Sequence, residues 1–293
     1  MSQDTSSKAS AATGPGSASD DAELKSLIAR TFDGAADSYD TIGPEYFARF
    51  GRRLVELAEV GPGMRVLDVG CGAGAALVAA GEAVGPQGHV LGIDIASRML
   101  ERSRAAVSRA GLRNTEVRSG DAEIPGVPPG DCDRVLAAQV LFFLPNLDRA
   151  LRAYRHILRP GGMLAASSWG PDDKAWQPVY RAMFATIPDG AAPDVTPSGK
   201  VFRNDANIAT AFEAAGFTDV RSTSETYDIV FDNADQWVVW SRSHGARAYW
   251  DAIPVEHRAH ARAEALRAVG ELAGADGRVP MPTTVRYTVA TRP

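Results

Sequence analysis

The chain has 293 residues, of which 45% are hydrophobic and 23% charged, as in an ordinary globular protein. The 31 Lys and Arg residues against 36 Asp and Glu give a formal net charge of −5. This balance argues against a general nucleic-acid binder, because such binding needs many cationic contacts to phosphate. No apolar run approaches the ~20 residues that span a bilayer, and the N-terminus lacks the apolar stretch of a signal peptide. We therefore expect a cytoplasmic protein that binds neither nucleic acid nor membrane.

Two helical segments are predicted before the first strand. Residues 1–20 are rich in Ser, Ala, Thr and Gly, so we expect a disordered tail there. Residues 21–62 contain two stretches with apolar side chains at helical spacing, and the second ends at Gly61-Pro62-Gly63. We interpret residues 21–62 as an N-terminal helical lid.

Strands and helices alternate between residues 63 and 170, which we take as the core domain. Such alternation implies right-handed crossovers and a mostly parallel sheet. Arg159-Pro160-Gly161-Gly162 is interpreted as a structural turn before the fifth strand. The predicted strands cover 65–69, 90–94, 115–118, 134–138 and 163–169, and the predicted helices 75–84, 97–110 and 147–158.

Residues 171–293 are expected to complete the same sheet and to cover one edge of it. Strands are predicted at 217–230 and 285–290, and a helix at 205–215. Helices around 172–187, 234–250 and 254–273 would form a cap over the C-terminal edge, where open α/β sheets bind ligands. The predicted fold is thus a Rossmann-like, doubly wound α/β domain with a mostly parallel seven-stranded sheet, a helical lid and a helical cap.

A glycine-rich turn follows the first strand directly. Gly70, Gly72 and Gly74 allow a tight turn and a close backbone approach to a ligand. Their G-x-G-x-G spacing differs from the dinucleotide pattern G-x-G-x-x-G/A. The preceding Asp68 would repel a pyrophosphate and suits a ligand with an ammonium group.

Two further carboxylates follow the next two strands. Asp94 ends the second strand, where an acid can accept hydrogen bonds from both hydroxyls of a ribose. Asp121 follows the third strand and can accept an adenine amino group. The glycine turn itself contains no Lys or Arg. Together these features describe a site for a cationic or neutral nucleoside, and S-adenosylmethionine (AdoMet) fits it.

These residues resemble the motifs of class I AdoMet-dependent methyltransferases, most closely the ubiquinone/menaquinone-biosynthesis group and bacterial natural-product methyltransferases. The resemblance covers about residues 32–170 and includes the lead-in 32–40, Gly92-Ile93-Asp94 and the 159–162 turn. It implies AdoMet as cofactor, S-adenosylhomocysteine as product and no metal. The implied cofactor-binding residues are Asp68, Gly70, Gly72 and Gly74 with Gln139 at the methionine end, Asp94 at the ribose, Ile95, Asp121 and Ala122 at the adenine, and Tyr39 closing over the methionine head.

Aromatic residues provide a candidate pocket for a small, apolar or aromatic acceptor. Trp237, Trp240 and His244 have the i, i+3, i+7 spacing of one helical face. His244 is the candidate general base, and Tyr39 is a second candidate catalytic residue. Each ring could instead simply pack the cap on the sheet. The candidate acceptor-binding residues are Phe142, Phe143, Trp169, Trp237, Trp240 and His244.

The sequence shows no His-Asp pair for deprotonation and no cluster with metal-ligand spacing. Catalysis by proximity and orientation is therefore expected, with O-, C- and N-methylation all open. Three alternatives remain at this stage: methylation coupled to cyclisation of a terpenoid-like acceptor, an NAD-dependent oxidoreductase, and an AdoMet-fold protein that transfers no methyl group. The sequence does not indicate an oligomeric state.

Overall fold

A computed structural model describes residues 18–171 and 173–293. Its centre is a seven-stranded sheet in the order β3-β2-β1-β4-β5-β7-β6, which confirms the predicted fold class and strand number. The strands are β1 (Arg65–Val69), β2 (His89–Asp94), β3 (Thr115–Ser119), β4 (Cys132–Ala138), β5 (Leu158–Trp169), β6 (Thr218–Phe231) and β7 (Val279–Thr291).

Ten α-helices are described around this sheet. The first begins at Ala18, so residues 18–20 are helical and not part of a tail as predicted; residues 1–17 lie outside the described residues. The helices are α1 (Ala18–Ala35), α2 (Phe47–Leu57), α3 (Ala75–Val84), α4 (Ser97–Arg109), α5 (Leu147–Ile157), α6 (Gln177–Phe184), α7 (Asp205–Ala214), α8 (Ala234–Trp240), α9 (Arg247–Ala252) and α10 (Arg258–Gly270).

The strand order reverses between β1 and β4, which places the ligand crevice of the sheet there. Strands β1 to β5 run parallel, whereas β7 is antiparallel to both β5 and β6. Val66, Leu67 and Val69 in β1 are at most 2% exposed, as expected for a parallel strand covered on both faces. The chain that leaves β1 and β4 at their carboxyl ends therefore faces a single crevice.

Two strands, β5 and β7, begin at least five residues before their predicted starts. The 159–162 segment is not a turn before β5 but a bulge within it: Leu158 pairs with Cys132, and the register shifts before Met163. Backbone hydrogen bonds of 2.8 Å join Gly161 and Gly162 to Arg292, the residue that directly follows β7. β7 begins at Val279, six residues before the predicted start, because it pairs with the full length of β6.

The cap also differs from the prediction, because residues 234–250 form two helices. The hydroxyls of Ser241 and Ser243 donate to the carbonyls of Val238 (2.8 Å) and Trp240 (2.7 Å) at the end of α8. Such side-chain bonds compete with helical ones. His244 consequently follows α8 in a turn and does not share a helical face with Trp237 and Trp240.

The lid is attached to the first turn of α4. Asp33 in α1 accepts hydrogen bonds from the backbone N–H of Arg98 (2.8 Å) and from Ser97 Oγ (3.2 Å). It thereby caps a helix whose own N-cap residue, Ala96, has no side-chain acceptor. Arg98 also pairs with Asp37. These contacts hold the C-terminal end of α1 beside the carboxyl edge of the sheet.

Candidate active site

A cavity of about 360 Å³ lies at this carboxyl edge, within the size range of small-molecule sites. It has two parts, which we call the nucleoside half, around the ends of β1, β2 and β3, and the acceptor half, between the lid, the ends of β4 and β5 and the cap. The predicted site residues that line it are Tyr39, Gly70, Gly72, Asp94, Ile95, Asp121, Ala122, Gln139, Phe142, Phe143, Trp169, Trp237, Trp240 and His244.

Two of the glycines in the turn after β1 line the cavity, and their backbone requires glycine. Gly70 and Gly72 have φ angles of +62° and +51°, which side chains disfavour. A Cβ on Gly70 would also lie 2.4 Å from Cγ2 of Val140. Gly74, predicted to bind cofactor, is outside the cavity lining. Its φ is +97°, and a Cβ there would lie 3.3 Å from Ser103 Oγ, so its role in this structure is to start α3 close to α4.

Asp94 links the end of β2 to the glycine turn. Its carboxylate accepts 2.8 Å hydrogen bonds from the backbone N–H groups of Gly72 and Ala96. Burial raises the pKa of Asp94, and these two backbone bonds oppose that rise. Each carboxylate oxygen retains a further acceptor position. A ribose at this strand end would therefore meet a carboxylate whose orientation is already fixed.

Two buried polar groups near the turn have no hydrogen-bond partner. Both carboxylate oxygens of Asp68 and both amide atoms of Gln139 are unpaired. Burial and then the nearby Asp94 raise the pKa of Asp68. Gln139 has a φ of +57°, a strained backbone conformation typical of functional sites. AdoMet fits these residues, since it offers an ammonium to Asp68 and a carboxylate to the Gln139 amide. Asp68 itself is fully buried and is not among the residues that line the cavity.

Asp121 has partners that the sequence analysis missed. Its Oδ2 accepts from Lys25 Nζ at 2.8 Å, and its Oδ1 from the backbone N–H of Glu123 at 2.9 Å. Lys25 also pairs with the fully buried Glu123 side chain at 2.7 Å. Burial alone would lower the pKa of Lys25, but the two carboxylates outweigh it and raise that pKa. Lys25 in α1 thus connects the lid to the end of the cavity beside β3, where the sequence predicts the adenine.

Tyr39 lies among aromatic rings at the lid side. Its ring stacks on Phe47 with centroids 5.1 Å apart and meets Phe32 edge-on at 6.3 Å. Burial raises the pKa of Tyr39 above its usual range, so the hydroxyl stays protonated at neutral pH. Tyr39 can therefore donate a hydrogen bond in the cavity, but it cannot act there as a phenolate base.

The acceptor half is walled by aromatic side chains from three parts of the chain. Trp237 packs on Trp176 with centroids 5.2 Å apart, and Trp240 lies 5.0 Å from Phe231. Trp169, the last residue of β5, is 37% exposed. Sequence spacing alone could not assign several further lining rings, because they come from loops and helices distant in sequence: Phe32, Tyr46, Phe47, Trp176, Tyr180 and Tyr249.

His244 lines the acceptor half beside Trp240, with ring centroids 4.3 Å apart. Its Nδ1 accepts a 3.2 Å hydrogen bond from the backbone N–H of Ala246, and its Nε2 is buried without a partner. Burial lowers the pKa of His244 to about 4. The imidazole is therefore neutral at physiological pH.

Residues 18–171 and 173–293 contain neither a cluster of metal-ligand side chains nor a helix that could span a membrane. Within that part of the chain, no set of three or more His, Cys, Asp or Glu side chains is grouped to hold a metal ion. None of the helices described there combines the length and apolar character needed to cross a bilayer.

Comparison with known proteins identifies the family. A family model described as a methyltransferase domain matches residues 61–192. The chain is 33% identical over 271 residues to nocamycin O-methyltransferase of Saccharothrix syringae, covering 88% of this chain and 95% of that protein. It is 42% identical over 178 residues to aklanonic acid methyltransferase DauC of Streptomyces sp. strain C5, covering 60% of this chain and 75% of that protein.

A solved structure supports the fold assignment. The YcgJ protein from Bacillus subtilis superimposes with a TM-score of 0.56 at 16% identity, covering 84% of this chain and 99% of that one. Family membership excludes the alternative of an NAD-dependent oxidoreductase, because the sequence relatives are methyltransferases. The chain belongs to the family of AdoMet-dependent methyltransferases and is an enzyme of that family.

Proposed function

We propose that the enzyme O-methylates a flat, largely aromatic natural product bound in the acceptor half. The observation that carries this proposal is the aromatic wall of that half, which continues without a break into the nucleoside half. Flat rings pack favourably against aromatic faces and edges. The two relatives, nocamycin O-methyltransferase and aklanonic acid methyltransferase, support a natural-product acceptor. The first of them also supports oxygen as the methylated atom.

The side chains of the site would promote methyl transfer mainly by holding the donor and the acceptor in a fixed orientation. When bound, AdoMet supplies a methyl group already activated by a sulfonium. Asp68, Asp94 and Gln139 would fix the donor, and the rings of Trp237 and Trp240 would orient the acceptor. A fixed near-attack geometry replaces a bimolecular encounter and removes much of the entropic barrier. The lid would exclude water, which otherwise solvates the nucleophile.

The lid, the sheet and the cap meet where the acceptor would react. Phe32 of α1 lies edge-on to Phe143 at 5.4 Å. A Cβ built on Gly245, in the cap, would lie 3.2 Å from Phe143 and 3.7 Å from Phe32. These close contacts support a site that is enclosed when the acceptor is bound.

The test is product analysis with AdoMet carrying a deuterated methyl group and a panel of polycyclic aromatic acids, phenols and amines. We expect a single mass increase of one labelled methyl on an oxygen of acids or phenols. Labelling of carbon or nitrogen alone would contradict O-methylation. A methylated product whose chromatographic behaviour and fragmentation indicate a new ring would instead favour the methylation–cyclisation alternative.

A further inference from the structure

The hydrogen-bond partners of His244 determine which of its nitrogens carries the proton. Nδ1 accepts from the backbone N–H of Ala246 at 3.2 Å, so it holds a free electron pair there. In a neutral imidazole the proton must then be on Nε2. This tautomer leaves Nε2 as a donor. His244 is therefore in the wrong form for the general base considered in the sequence analysis.

The Nε2–H group is buried without an acceptor. Leaving a buried donor unpaired is unfavourable, and an oxygen supplied by a ligand can pair with it. The neighbours of His244 are apolar or aromatic: Trp240 at 4.3 Å, with Phe143 and Phe32 against the adjacent Gly245. Burial lowers the pKa of His244, and no side chain in residues 18–171 or 173–293 accepts a hydrogen bond from this donor.

The other polar groups of the acceptor half are poor bases as well. Burial raises the pKa of Tyr39 and of Tyr46 above the usual range, so both hydroxyls stay protonated. Asp173 lies at the exposed side, where its carboxylate caps the turn at Ala175 (3.0 Å). Among the described residues that line the cavity, the only Lys or Arg is Lys25, which is engaged at the adenine end.

We propose that His244 is a positioning residue that donates its Nε2–H to an oxygen of the acceptor, and that the methylated group is an oxyacid ionised before it binds. A carboxylic acid or the enol of a 1,3-dicarbonyl has this chemistry. The inference rests on the proposed O-methylation. In the step, an oxygen lone pair forms the new O–CH₃ bond, the C–S bond breaks and its electron pair stays on sulfur. An anionic acceptor becomes neutral, so no base has to remove a proton.

The first experiment compares two substitutions of His244 with 2-naphthoic acid and 2-naphthol as probes. His244→Gln retains a side-chain N–H donor, whereas His244→Leu removes it. We expect methyl transfer to the acid and little to the phenol. The Leu variant should have a KM for the acid about tenfold above that of the wild type with a small change in kcat, as loss of one hydrogen bond implies. The Gln variant should have a KM close to that of the wild type.

Two outcomes of this comparison would overturn the proposal. One is equal loss in the Gln and Leu variants, which would indicate packing alone. The other is faster methylation of 2-naphthol than of 2-naphthoic acid, which would require a base. Calorimetric titration with AdoMet serves as the control, because neither substitution touches the nucleoside half and its affinity should be unchanged.

The second experiment reads the tautomer without any turnover. In protein labelled with ¹⁵N-histidine, the His244 signals are assigned from their loss in His244→Gln. We expect the Nε2–H tautomer at pH 7, with a shift of the Nε2 signal when 2-naphthoic acid is added. An Nδ1–H tautomer, an imidazolium, or no shift with 2-naphthoic acid would contradict the proposal. Failure of all methyl transfer with the expected tautomer and shift present would contradict the proposed function alone.

Discussion

Burial is the largest influence on the pKa of three polar side chains that line the cavity, Tyr39, Asp94 and His244. It raises the pKa of Tyr39, lowers that of His244 to about 4 and raises that of Asp94. Tyr39 and His244 are consequently neutral at pH 7, and each offers a donor. The acceptor half therefore contacts its ligand through hydrogen bonds and aromatic surfaces, with little fixed charge.

Asp40, beside Tyr39 in the lid, gives a prediction on stability. Burial raises its pKa to about 6, and its φ is +53°, a conformation that Asn tolerates. Because the pKa of Asp40 is higher in the folded than in the unfolded state, the free energy of unfolding falls as the pH rises from about 4 to about 6. Asp40→Asn should therefore be more stable than the wild type at pH 8, by about 1 kcal/mol after discounting for its partial exposure. Urea denaturation at pH 8 and below pH 4 checks this, and the difference should vanish at the lower pH.

The nearby Asp37 is the matched control for Asp40. Its pKa is lowered by the hydrogen bond from Arg98, so its charge contributes stability that is present at neutral pH and lost as the pH falls. Asp37→Asn should therefore shift stability at pH 8 in the opposite direction, by a small amount because the pair is exposed. Equal effects of the two substitutions would contradict the assignment of burial as the cause at Asp40.

At the scale of elements, α2 crosses the start of α3 with their backbones almost in contact. A Cβ on Gly51 would lie 2.5 Å from the carbonyl carbon and oxygen of Ala75 and 2.6 Å from the nitrogen of Ala76. Backbone atoms cannot rotate away, so Gly51→Ala should lower the free energy of unfolding by about 1–3 kcal/mol. AdoMet affinity should fall too, because Ala75 directly follows the glycine turn. Chemical denaturation and calorimetry measure the two effects.

Gly270, the last residue of α10, provides the matched helical control. A Cβ there has no atom within 4 Å, and Ala is the better helix former. Gly270→Ala should therefore be neutral or slightly stabilising. Equal stability of Gly51→Ala and Gly270→Ala would show that the close crossing of α2 and α3 does not restrict the side chain at position 51.

The ion pairs that attach α1 to Asp121 and Glu123 give a prediction about the lid. Lys25→Met removes the cation between Asp121 and Glu123 and leaves the buried Glu123 carboxylate with the backbone N–H of Asn146 (2.6 Å) and with Arg149 (3.5 Å). We expect faster amide hydrogen exchange throughout α1, with exchange in β1 unchanged, as for a locally opening segment. Lys200→Met, at an exposed position, is the control. Unchanged exchange in α1 would show that Lys25 does not hold the lid.

For the whole molecule, the sequence predicted the sheet, and it predicted that Gly70, Gly72, Asp94 and Asp121 lie at one edge of it, because both depend on local signals. β1 and the glycine turn are adjacent in the chain, and Asp94 and Asp121 follow strands that parallel pairing brings to one edge. The acceptor half could not be predicted in the same way. Lys25 meets Asp121 across 96 residues, and the end of α8 depends on side-chain bonds that no periodicity reveals. The tautomer of His244 likewise depends on a single backbone contact.

The most direct test of this account is a calorimetric titration of AdoMet into the wild type and into Asp94→Ala, with Asp148→Ala on the exposed face of α5 as control. The central claim is that the acidic carboxyl edge of the sheet binds AdoMet. We predict that the wild type and Asp148→Ala bind AdoMet and that neither binds NADH. Asp94→Ala should bind AdoMet at least tenfold more weakly, a loss of about 1.4 kcal/mol in binding free energy. Its melting temperature should stay close to that of the wild type. Equal AdoMet affinity in all three proteins, or binding of NADH in place of AdoMet, would contradict the account.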